Sequence, residues 1–393
     1  MKLIFQFGSQ PDLSRAELLN RFPNLAHGRL VATRFFIVDC DESPAWLLKQ
    51  LGGVVKILEV VQGISAKPDE MITHLADHIL KVTTEKPKVV YGVSIINAPE
   101  LKGVGIALKR AIQQLSDRSV RSVVSRDPEL SSATVHLEGL LAPRGVELVF
   151  LKDSSQVVVA ETAAAQAFDE WSFRDYERPG RDAKRGMLPP KLAKMMINLG
   201  IRAREPHQVT IYDPFCGSGT VLTEAALLGA VQIFGSDIQK QAVDDSKQSF
   251  EWARTQFGLE NTVLDVFKHD VTEKNQKIKP KSIDAVVAET FLGRPLKKGE
   301  QLRPEEKRDL VSLYNRALIS LFPLIKEGGC VVLALPFQTN PREVLPLHEI
   351  IAQTGFTVDP LLPDHNMIYY MRPDQRTGRQ IVRLVAAGLD KKG

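Results

Sequence analysis

From residue 208 onward the chain alternates apolar, strand-like runs with longer segments of helical periodicity, and this alternation constrains the fold more than any other feature. Alternating strand and helix units predict a mostly parallel sheet covered by helices on both faces. In such a sheet, ligands bind at the carboxyl ends of the strands. The last two strand-like runs, residues 367–371 and 379–387, are joined by a turn-rich segment and predict an antiparallel hairpin at the sheet edge. The sequence thus predicts a doubly wound α/β domain over residues 195–393.

The first 168 residues have a different, α+β character. Residues 1–63 alternate short strands and helices in a β-α-β-α-β order, and residues 64–168 form a second predicted unit. Among the strand-like runs of this second unit is one over residues 133–140. Residues 169–194 break the pattern because glycines and prolines punctuate a polar run, so we expect a linker there.

Composition limits the class of protein. The chain is 44% hydrophobic and 25% charged, a composition that excludes a disordered protein. Its 393 residues are more than one ordinary domain contains. No stretch reaches the ~20 apolar residues that span a bilayer, so we expect a cytoplasmic protein without a membrane span. Cys40, Cys216 and Cys330 are too far apart for a disulfide framework or a CxxC zinc site, and no metal is expected. The net charge of +4 permits a polyanionic partner without establishing one.

A glycine-rich turn, Asp213-Pro214-Phe215-Cys216-Gly217-Ser218-Gly219-Thr220, lies between a predicted strand and a predicted helix. Glycines at such a turn let the backbone approach a ligand, and the free N–H groups that open the helix face it. Asp237 ends the next predicted strand, where a carboxylate can accept hydrogen bonds from the ribose hydroxyls of a nucleoside cofactor. The residues predicted to bind the cofactor here are Asp213, Phe215, Gly217, Gly219, Thr220 and Asp237.

The chemistry of the turn favours S-adenosylmethionine over a nicotinamide dinucleotide. Leu222 occupies the third glycine position of the dinucleotide motif, and the carboxylate of Asp213 would face a pyrophosphate unfavourably. S-adenosylmethionine has no phosphate but carries an ammonium group and a sulfonium, which an acidic neighbour stabilises. Asp270 ends the third predicted strand, where its carboxylate could bond the adenine amine; a solvated turn residue is the alternative there.

These motifs resemble those of class I S-adenosylmethionine-dependent methyltransferases, over about residues 208–390. The corresponding motifs are DPFCGSGT, GSD and HD. Upstream segments resemble a narrower family, the THUMP-domain tRNA guanine-N2 methyltransferases. The segments that carry this second resemblance are FGSQPDLSRAEL, LGGVVKI, SVVSRDPELSSATVHLEGL and RDYERPGRDAKRGMLPPKLA. Together they imply a Rossmann-like methyltransferase domain preceded by a ferredoxin-like unit and a THUMP-like RNA-binding unit.

The resemblance also implies a substrate and a covering loop. In that family the loop before the first Rossmann strand closes over the methionine end of the cofactor, which gives Met187, Leu188 and Pro189 that role here. A rigid linker that packs on the sheet is an equally open interpretation of the same residues. The THUMP-like unit would hold the acceptor end of tRNA, and the guanosine modified in the family is usually at position ten.

The loop after the fourth strand departs from the family. Amino methyltransferases have an Asp/Asn-Pro-Pro-Tyr/Phe loop there, whereas this chain has Glu289-Thr290-Phe291-Leu292. The exocyclic amine of guanine is a poor nucleophile because its lone pair is conjugated into the ring, so oxygens that accept its protons and a stacking ring promote transfer. We expect Glu289 to supply the oxygen and Phe291 the ring. Because a displacement of ~1 Å can cost ~100-fold in rate, the longer glutamate leaves a weakened catalyst as the alternative.

Basic residues next to the predicted pocket are expected to form a phosphate-binding track. They are Arg174, Arg178, Arg181, Lys184 and Arg185. The leading hypothesis is a methyltransferase that acts on guanine N2 in tRNA. An RNA-binding protein with a feebly active methyltransferase domain remains open, as does an amino methyltransferase that acts on ribosomal RNA or DNA.

Overall fold

The computed structural model describes residues 1–62, 67–154, 156–179, 187–294, 296, 300–339, 342–372 and 377–387. The chain forms two compact units. The first unit comprises Met1–Pro11 with Asn24–Glu170, and the second comprises Asp12–Pro23 with Trp171–Gly393. No helix within the described ranges is both long enough and apolar enough to cross a membrane.

The first unit is built on one eight-stranded mixed sheet. Its strands are β1 (Lys2–Phe7), β2 (Arg29–Val31), β3 (Phe35–Asp39), β4 (Val54–Val60), β5 (Val89–Ile96), β6 (Val120–Val123), β7 (Val146–Asp153) and β8 (Gln156–Ala165). They lie in the order β2-β3-β1-β4-β8-β7-β5-β6, where β5 is parallel to β6 and β7 and the other neighbours are antiparallel. Strands from both sides of residue 63 therefore share one sheet. The division into a ferredoxin-like and a THUMP-like domain at that residue stays a prediction.

One predicted strand of this region is a helix. The first five helices of the chain are α1 (Pro11–Arg21), α2 (Pro44–Gln50), α3 (Pro68–Val82), α4 (Val104–Leu115) and α5 (Ser132–Leu137). Helix α5 replaces the strand predicted over residues 133–140, so that prediction was wrong. Thr134 and Val135 are β-branched, but the Ser131 hydroxyl caps the helix by accepting the Thr134 N–H at 3.0 Å.

Helix α1 supplies contacts to the second unit rather than to the first. Leu13 lies in the main apolar cluster of the second unit. The buried Glu17 carboxylate accepts a hydrogen bond from Asn198 Nδ2 at 2.7 Å, and the Arg21 guanidinium donates to the Arg204 carbonyl at 2.8 Å. A segment near the start of the chain thus completes the core of the unit formed by the C-terminal half.

The second unit has a nine-stranded sheet. Its strands are β9 (Thr210–Asp213), β10 (Gln232–Asp237), β11 (Val263–Lys268), β12 (Ile283–Glu289), β13 (Ile325–Thr339), β14 (Arg342–Val344), β15 (Phe356–Val358), β16 (Met367–Tyr370) and β17 (Thr377–Ala386). The order is β11-β10-β9-β12-β13-β17-β15, with β14 on β13 and β16 on β17. Strands β9 to β13 are parallel, whereas β17 is antiparallel to β13, β15 and β16. The predicted doubly wound fold with an antiparallel edge hairpin is confirmed.

Alternating residues of the central strands enter two apolar clusters. Val287 and Val332 lie in one cluster, and Val286 and Val331 lie in the other. The helices involved with this unit, after α1, are α6 (Phe168–Tyr176), α7 (Pro190–Ile201), α8 (Thr220–Leu227), α9 (Lys240–Phe257), α10 (Pro304–Leu321) and α11 (Leu347–Ile351). Because both faces of the sheet are covered, its strands read as almost continuous apolar runs.

Helix α7 directs the chain before it toward the carboxyl ends of the strands. A Cβ on Gly200, near the end of α7, would lie 3.3 Å from Ala285 and 3.1 Å from Val287. Arg204, just after the helix, pairs with Asp284 at the start of β12. Since twelve helical residues span about 18 Å, the helix begins at the opposite edge of the sheet. The predicted linker over residues 169–194 therefore contains helix α6 and ends beside that edge.

Candidate active site

The glycine turn has the left-handed backbone that its sequence requires. Gly217 has φ +51° and Gly219 has φ +84°, a region in which residues with a Cβ are strained. The Cys216 N–H donates to the Ser236 carbonyl at 2.9 Å, which fastens the turn to β10. Helix α8 begins directly afterwards at Thr220. The turn therefore presents the first N–H groups of α8 at the carboxyl edge of the sheet.

The described residues leave space in front of the turn at Gly217. A Cβ on Gly217 would have one described atom within 4 Å, the Phe215 carbonyl oxygen at 3.9 Å. A Cβ on Gly219 would instead crowd Ser246 at 3.1 Å. Gly219 is thus shaped by the protein itself, whereas Gly217 borders a region that a ligand can enter.

Asp237 is held next to the turn. Its Oδ2 accepts the Gly217 N–H at 3.1 Å, and its Oδ1 accepts the Gln239 N–H at 2.9 Å. The third strand joins the same edge, because the His269 N–H donates to the Asp237 carbonyl at 3.0 Å. The structure therefore brings together the turn and the strand end that the sequence predicted to bind a nucleoside.

Asp270 follows His269 and forms a local turn. Its Oδ1 accepts the Thr272 N–H at 2.9 Å and the Thr272 hydroxyl at 2.8 Å. The bond from the Thr272 N–H lowers the pKa of the Asp270 carboxyl most, and the bond from the Thr272 hydroxyl lowers it further. Both bonds use Oδ1, so Oδ2 is the oxygen that could contact adenine. That contact stays a prediction.

Three carboxylates end neighbouring parallel strands at this edge: Asp213 on β9, Asp237 on β10 and Glu289 on β12. Burial raises the pKa of the Asp213 carboxyl well above its usual value, and the charges of Asp237 and Glu289 raise it further. The hydrogen bond from the Phe215 N–H acts in the opposite direction. The proposed donor end and the proposed reacting loop consequently lie close together on one edge of the sheet. The charges of Asp237 and Glu289 stabilise a positively charged ligand, and a bound cation would in turn favour the ionised form of Asp213. The ammonium and sulfonium of S-adenosylmethionine fit this requirement, and so does the space in front of Gly217.

The reacting loop is fixed by bonds to its neighbours. Thr290 bonds the Ala334 carbonyl through its N–H at 3.2 Å and its hydroxyl at 3.1 Å. The Phe291 carbonyl accepts the Tyr314 hydroxyl of α10, and burial raises the pKa of Tyr314 so that it stays protonated. The Phe291 ring is 56% exposed, and Gly293 leaves the loop with φ +83°. An exposed ring on an anchored backbone is suited to stacking on a base.

Sequence patterns missed the partner of Glu289. Arg379, on β17, donates from Nε to Glu289 Oε1 at 2.6 Å, and the arginine is only 2% exposed. Burial raises the pKa of the Glu289 carboxyl, and the Arg379 charge opposes that rise. Ninety residues separate the pair along the chain, so no local motif joins them.

The covering segment lies at the same edge. Leu188 is 5% exposed and packs in the main apolar cluster, while Met187 is half-buried. Pro189 precedes the first residue of α7. Leu188 therefore packs as part of the core, and the role of Met187, Leu188 and Pro189 toward a cofactor stays a prediction.

Two of the predicted RNA-binding arginines are buried. Arg174 pairs with the buried Glu224 at 2.9 Å, and its guanidinium lies 4.0 Å from the centre of the Trp171 ring. Arg178 donates to the Thr220 hydroxyl at 2.7 Å and to the Ser218 hydroxyl at 3.3 Å. The phosphate track predicted for these two residues is at odds with this burial, because they connect the linker to the glycine turn and to α8.

The rest of the predicted basic track, Arg181, Lys184 and Arg185, lies outside the described residues. Among described residues there is no group of three His, Cys, Asp or Glu side chains that could hold a metal.

Residues 178–358 match the family model UPF0020, RMKL-like, methyltransferase domain. This segment is therefore similar to that methyltransferase domain, and it is called the RMKL-like domain below. The RMKL-like domain contains the glycine turn, both predicted ribose and adenine carboxylates, and the reacting loop. Arg379 lies beyond the matched segment.

Two curated relatives are similar to about two fifths of the chain. The protein from Pyrococcus abyssi is 29% identical over 157 residues, which are 40% of this chain and 41% of the relative. The protein from Methanothermobacter thermautotrophicus is 31% identical over 152 residues, 38% of this chain and 39% of the relative. Both are named tRNA (guanine(10)-N2)-dimethyltransferase. The match thus spans about two fifths of each relative.

Solved structures are similar over the whole chain. TrmN from Thermus thermophilus has a TM-score of 0.56 and 14% identity, and the match covers 98% of this chain and 100% of that chain. A possible methylase from Clostridium difficile 630 has a TM-score of 0.50 and 14% identity, covering 100% and 99%. At this identity the likeness shows the fold alone. The chain therefore has a fold similar to that of these two proteins.

Proposed function

We propose that the protein transfers a methyl group from S-adenosylmethionine to the exocyclic N2 amine of a guanosine in tRNA. The observation that carries the proposal is that Asp213, Asp237 and Glu289 end three neighbouring strands at one sheet edge, beside the glycine turn. An RMKL-like methyltransferase domain surrounds this edge. The names of the two relatives support guanosine ten as the target and leave room for one or two methyl groups.

The residues that would hold the cofactor follow from the site. Asp237 would bind the ribose hydroxyls, Asp213 would stabilise the positive end, and Gly217 would let the backbone approach. When bound, S-adenosylmethionine supplies an electrophilic methyl group; the amine nitrogen gains the C–N bond, sulfur keeps the electron pair of the broken C–S bond, and the amine releases a proton. Glu289 would accept an N–H of the amine, and Phe291 would stack on the guanine.

The substrate-binding part of the proposal concerns the first unit. We propose that residues 64–168 form a THUMP-like domain that holds tRNA, and that residues 1–63 form a separate ferredoxin-like unit. The basic residues Arg181, Lys184 and Arg185 would contact phosphates of the RNA. A base-modifying enzyme needs such a platform because the target base must be exposed while the rest of the RNA is held. The cytoplasm, where tRNA is matured, is the proposed location.

A second function is favoured by one observation. The Glu289 carboxylate is already paired with Arg379, so its capacity to bind an amine is reduced. This favours an RNA-binding protein with a feebly active methyltransferase domain. An amino methyltransferase that acts on ribosomal RNA or DNA receives less support, because both curated relatives are named for tRNA.

The test uses the full chain, an unmodified tRNA transcript and methyl-labelled S-adenosylmethionine. We expect label in N2-methylguanosine or N2,N2-dimethylguanosine, identified by mass spectrometry of the digested RNA. A transcript with adenosine at position ten is the matched substrate and should remain unlabelled. Label in another nucleoside, or in ribosomal RNA but not tRNA, would overturn the assignment.

A variant separates cofactor binding from RNA binding. Asp237→Ala should abolish binding of S-adenosylhomocysteine in calorimetry and leave tRNA binding largely intact. Unchanged affinity for S-adenosylhomocysteine would remove Asp237 from the cofactor site. If the wild-type protein binds both molecules without transferring methyl, the second function replaces the first.

A further inference from the structure

We propose that Arg379 is a positioning residue, which holds one oxygen of Glu289 and leaves the other to accept the target amine. The inference rests on the proposed methyl transfer and deepens it. It also accounts for a glutamate at a place where related enzymes have a shorter aspartate or asparagine.

The pair spans two strand spacings of the sheet. Glu289 ends β12 and is opposite Ala334 of β13, whereas Arg379 of β17 is opposite Pro336. Side chains two residues apart on a strand share a face. Val287 and Ile381 both belong to the main apolar cluster, so Glu289 and Arg379 project from that same face. The arginine thus reaches across β13, and the small side chain of Ala334 lies between the partners.

The contact fixes one end of the Glu289 carboxylate. Arg379 Nε lies 2.6 Å from Oε1, and this is the one hydrogen bond of the carboxylate to described residues. The Glu289 side chain keeps 16% of its surface exposed, while the Arg379 side chain keeps 2%. A buried guanidinium on a sheet strand loses little further freedom when it makes this bond. Oε2 remains at the sheet edge, where the proposed amine would approach.

The longer side chain makes such a restraint necessary. A glutamate has one more rotatable bond than an aspartate, and a displacement of ~1 Å at a reacting centre can lower a rate ~100-fold. A bond from Arg379 to one oxygen removes that freedom and orients the other oxygen. Glutamate at position 289 and arginine at position 379 therefore form one functional pair.

The charge of Arg379 also keeps Glu289 ionised. The groups that face this carboxyl, among described residues, are Arg379 from β17 and Asp213 from β9. Burial raises the pKa of Glu289, whereas the charge and the hydrogen bond of Arg379 lower it. Loss of Arg379 should thus raise the pKa of Glu289. An activity that needs the carboxylate would then be lost at a higher pH than in the wild-type protein.

The chain offers a matched control on the same strand. Arg383 lies four residues along β17 on the same face, is 4% exposed and also pairs with a carboxylate, that of Asp359. It lies toward the opposite end of the strand, opposite Val332. Arg383→Met therefore removes a buried arginine and its ion pair without touching the proposed site.

The experiment compares Arg379→Met, Arg379→Lys and Arg383→Met in methyl transfer to tRNA between pH 5.5 and 9. For Arg379→Met we expect kcat to fall tenfold to a hundredfold, on the order of a ~1 Å misplacement. The acidic limb of its profile should move to higher pH, while KM for the cofactor changes less than about threefold. Arg379→Lys should restore the acidic limb because it keeps the charge, but recover kcat only in part because it lacks the fork.

A readout independent of turnover is the titration of Glu289 by carboxyl NMR of protein labelled with ¹³C-glutamate. The Glu289 signal is identified by its absence in Glu289→Gln. It should titrate at higher pH in Arg379→Met than in the wild type or in Arg383→Met. Thermal unfolding of each variant reports the loss of stability separately.

Each outcome decides between the hypotheses. One outcome is that Arg379→Met loses stability as Arg383→Met does, yet keeps the wild-type titration of Glu289 and the wild-type pH profile. This result would overturn the positioning role and leave the methyltransferase assignment intact. A wild-type protein that transfers no methyl to tRNA would overturn the proposed function and this inference with it. If Arg379→Met does not fold, Arg379→Lys decides: unchanged kcat would contradict the inference.

Discussion

Each unit of the protein buries an ion pair in its sheet, but the two pairs are built differently. In the first unit, Lys56 and Glu147 are almost fully buried, at 1% and 0% exposure of their side chains. Both Glu147 oxygens accept the Lys56 ammonium, at 2.9 and 3.1 Å, and each also accepts a hydroxyl, from Ser94 or Thr162. In the second unit, Arg379 satisfies only one oxygen of Glu289, at the edge where ligands bind.

The difference distinguishes structure from function. A buried charge is tolerated when every polar atom has a partner, and the Glu147 group meets that condition within the fold. The Glu289 carboxylate does not, because its second oxygen has no bond from a described residue. A substrate contact needs an atom that is free to bond, and the Glu289 pair provides one whereas the Glu147 group does not. The following predictions test this distinction, from the largest effect to the smallest.

Lys56→Met should have the largest effect on stability. Removing one partner leaves Glu147 as an uncompensated buried charge, which costs about 3–5 kcal/mol. The measurement is urea unfolding followed by circular dichroism, and the first unit should unfold at a lower concentration. The double variant Lys56→Met/Glu147→Leu should recover most of the loss, since an apolar pair can replace a buried ion pair. Equal stability of Lys56→Met and the wild type would contradict the structural role.

Glu289→Gln should affect the reaction more than the fold. The amide keeps the shape of the carboxylate and its oxygen still accepts the Arg379 N–H, so the stability loss should be smaller than in Lys56→Met. With that oxygen on Arg379, the amide NH2 takes the place of the second carboxylate oxygen. An NH2 group cannot accept an N–H of the target amine, and we expect the rate to fall ~100-fold. Single-turnover transfer at saturating cofactor measures this directly. Wild-type transfer by Glu289→Gln would exclude the carboxylate from the reaction.

The buried acid beside the turn predicts a pH dependence of stability. The pKa of Asp213 is raised in the folded protein, mainly by burial. The folded state therefore holds a proton that the unfolded state has released, and stability falls as pH rises through the folded pKa. Asp213→Asn should remove this fall between pH 5 and 9, an effect smaller than the Lys56→Met loss. Thermal unfolding across that range measures it, and parallel curves for the variant and the wild type would contradict it.

Local chemistry made much of the second unit predictable. The strand, turn and helix around Asp213, and the acid at Asp237, follow from residues within a few positions of one another. The alternation of strands and helices gave the sheet and its edge hairpin for the same reason. Periodicity was misleading at residues 133–140, where the cap at Ser131 outweighed the β-branched residues.

Contacts between distant residues were beyond the reach of such patterns. Arg379 meets Glu289 across β13, and Arg174 meets Glu224 fifty residues later in the chain. A cluster of basic residues in the sequence gives no indication of which members are buried. Likewise, the periodicity of α1 predicts a helix, but its polar contacts with Asn198 show which unit it completes.

The smallest predicted effect concerns the two glycines of the turn, which repeat the distinction between the ion pairs. A Cβ on Gly219 would meet Ser246, whereas a Cβ on Gly217 would have no atom of a described residue closer than 3.9 Å. Alanine at either position should destabilise the fold by on the order of 1 kcal/mol, because both have positive φ. Gly219→Ala should lose more stability, since its Cβ would also crowd Ser246.

Affinity for S-adenosylhomocysteine should fall more in Gly217→Ala than in Gly219→Ala, which reverses the order expected for stability. In Gly217→Ala the new methyl group occupies the space through which the cofactor would approach, so affinity should fall about tenfold, or ~1.4 kcal/mol. Gly219→Ala should bind nearly as well as the wild type once folded. Calorimetry at a temperature where both variants are folded makes the comparison. A greater loss of affinity in Gly219→Ala would contradict the assignment. It would mean that Gly219, and not Gly217, borders the bound cofactor.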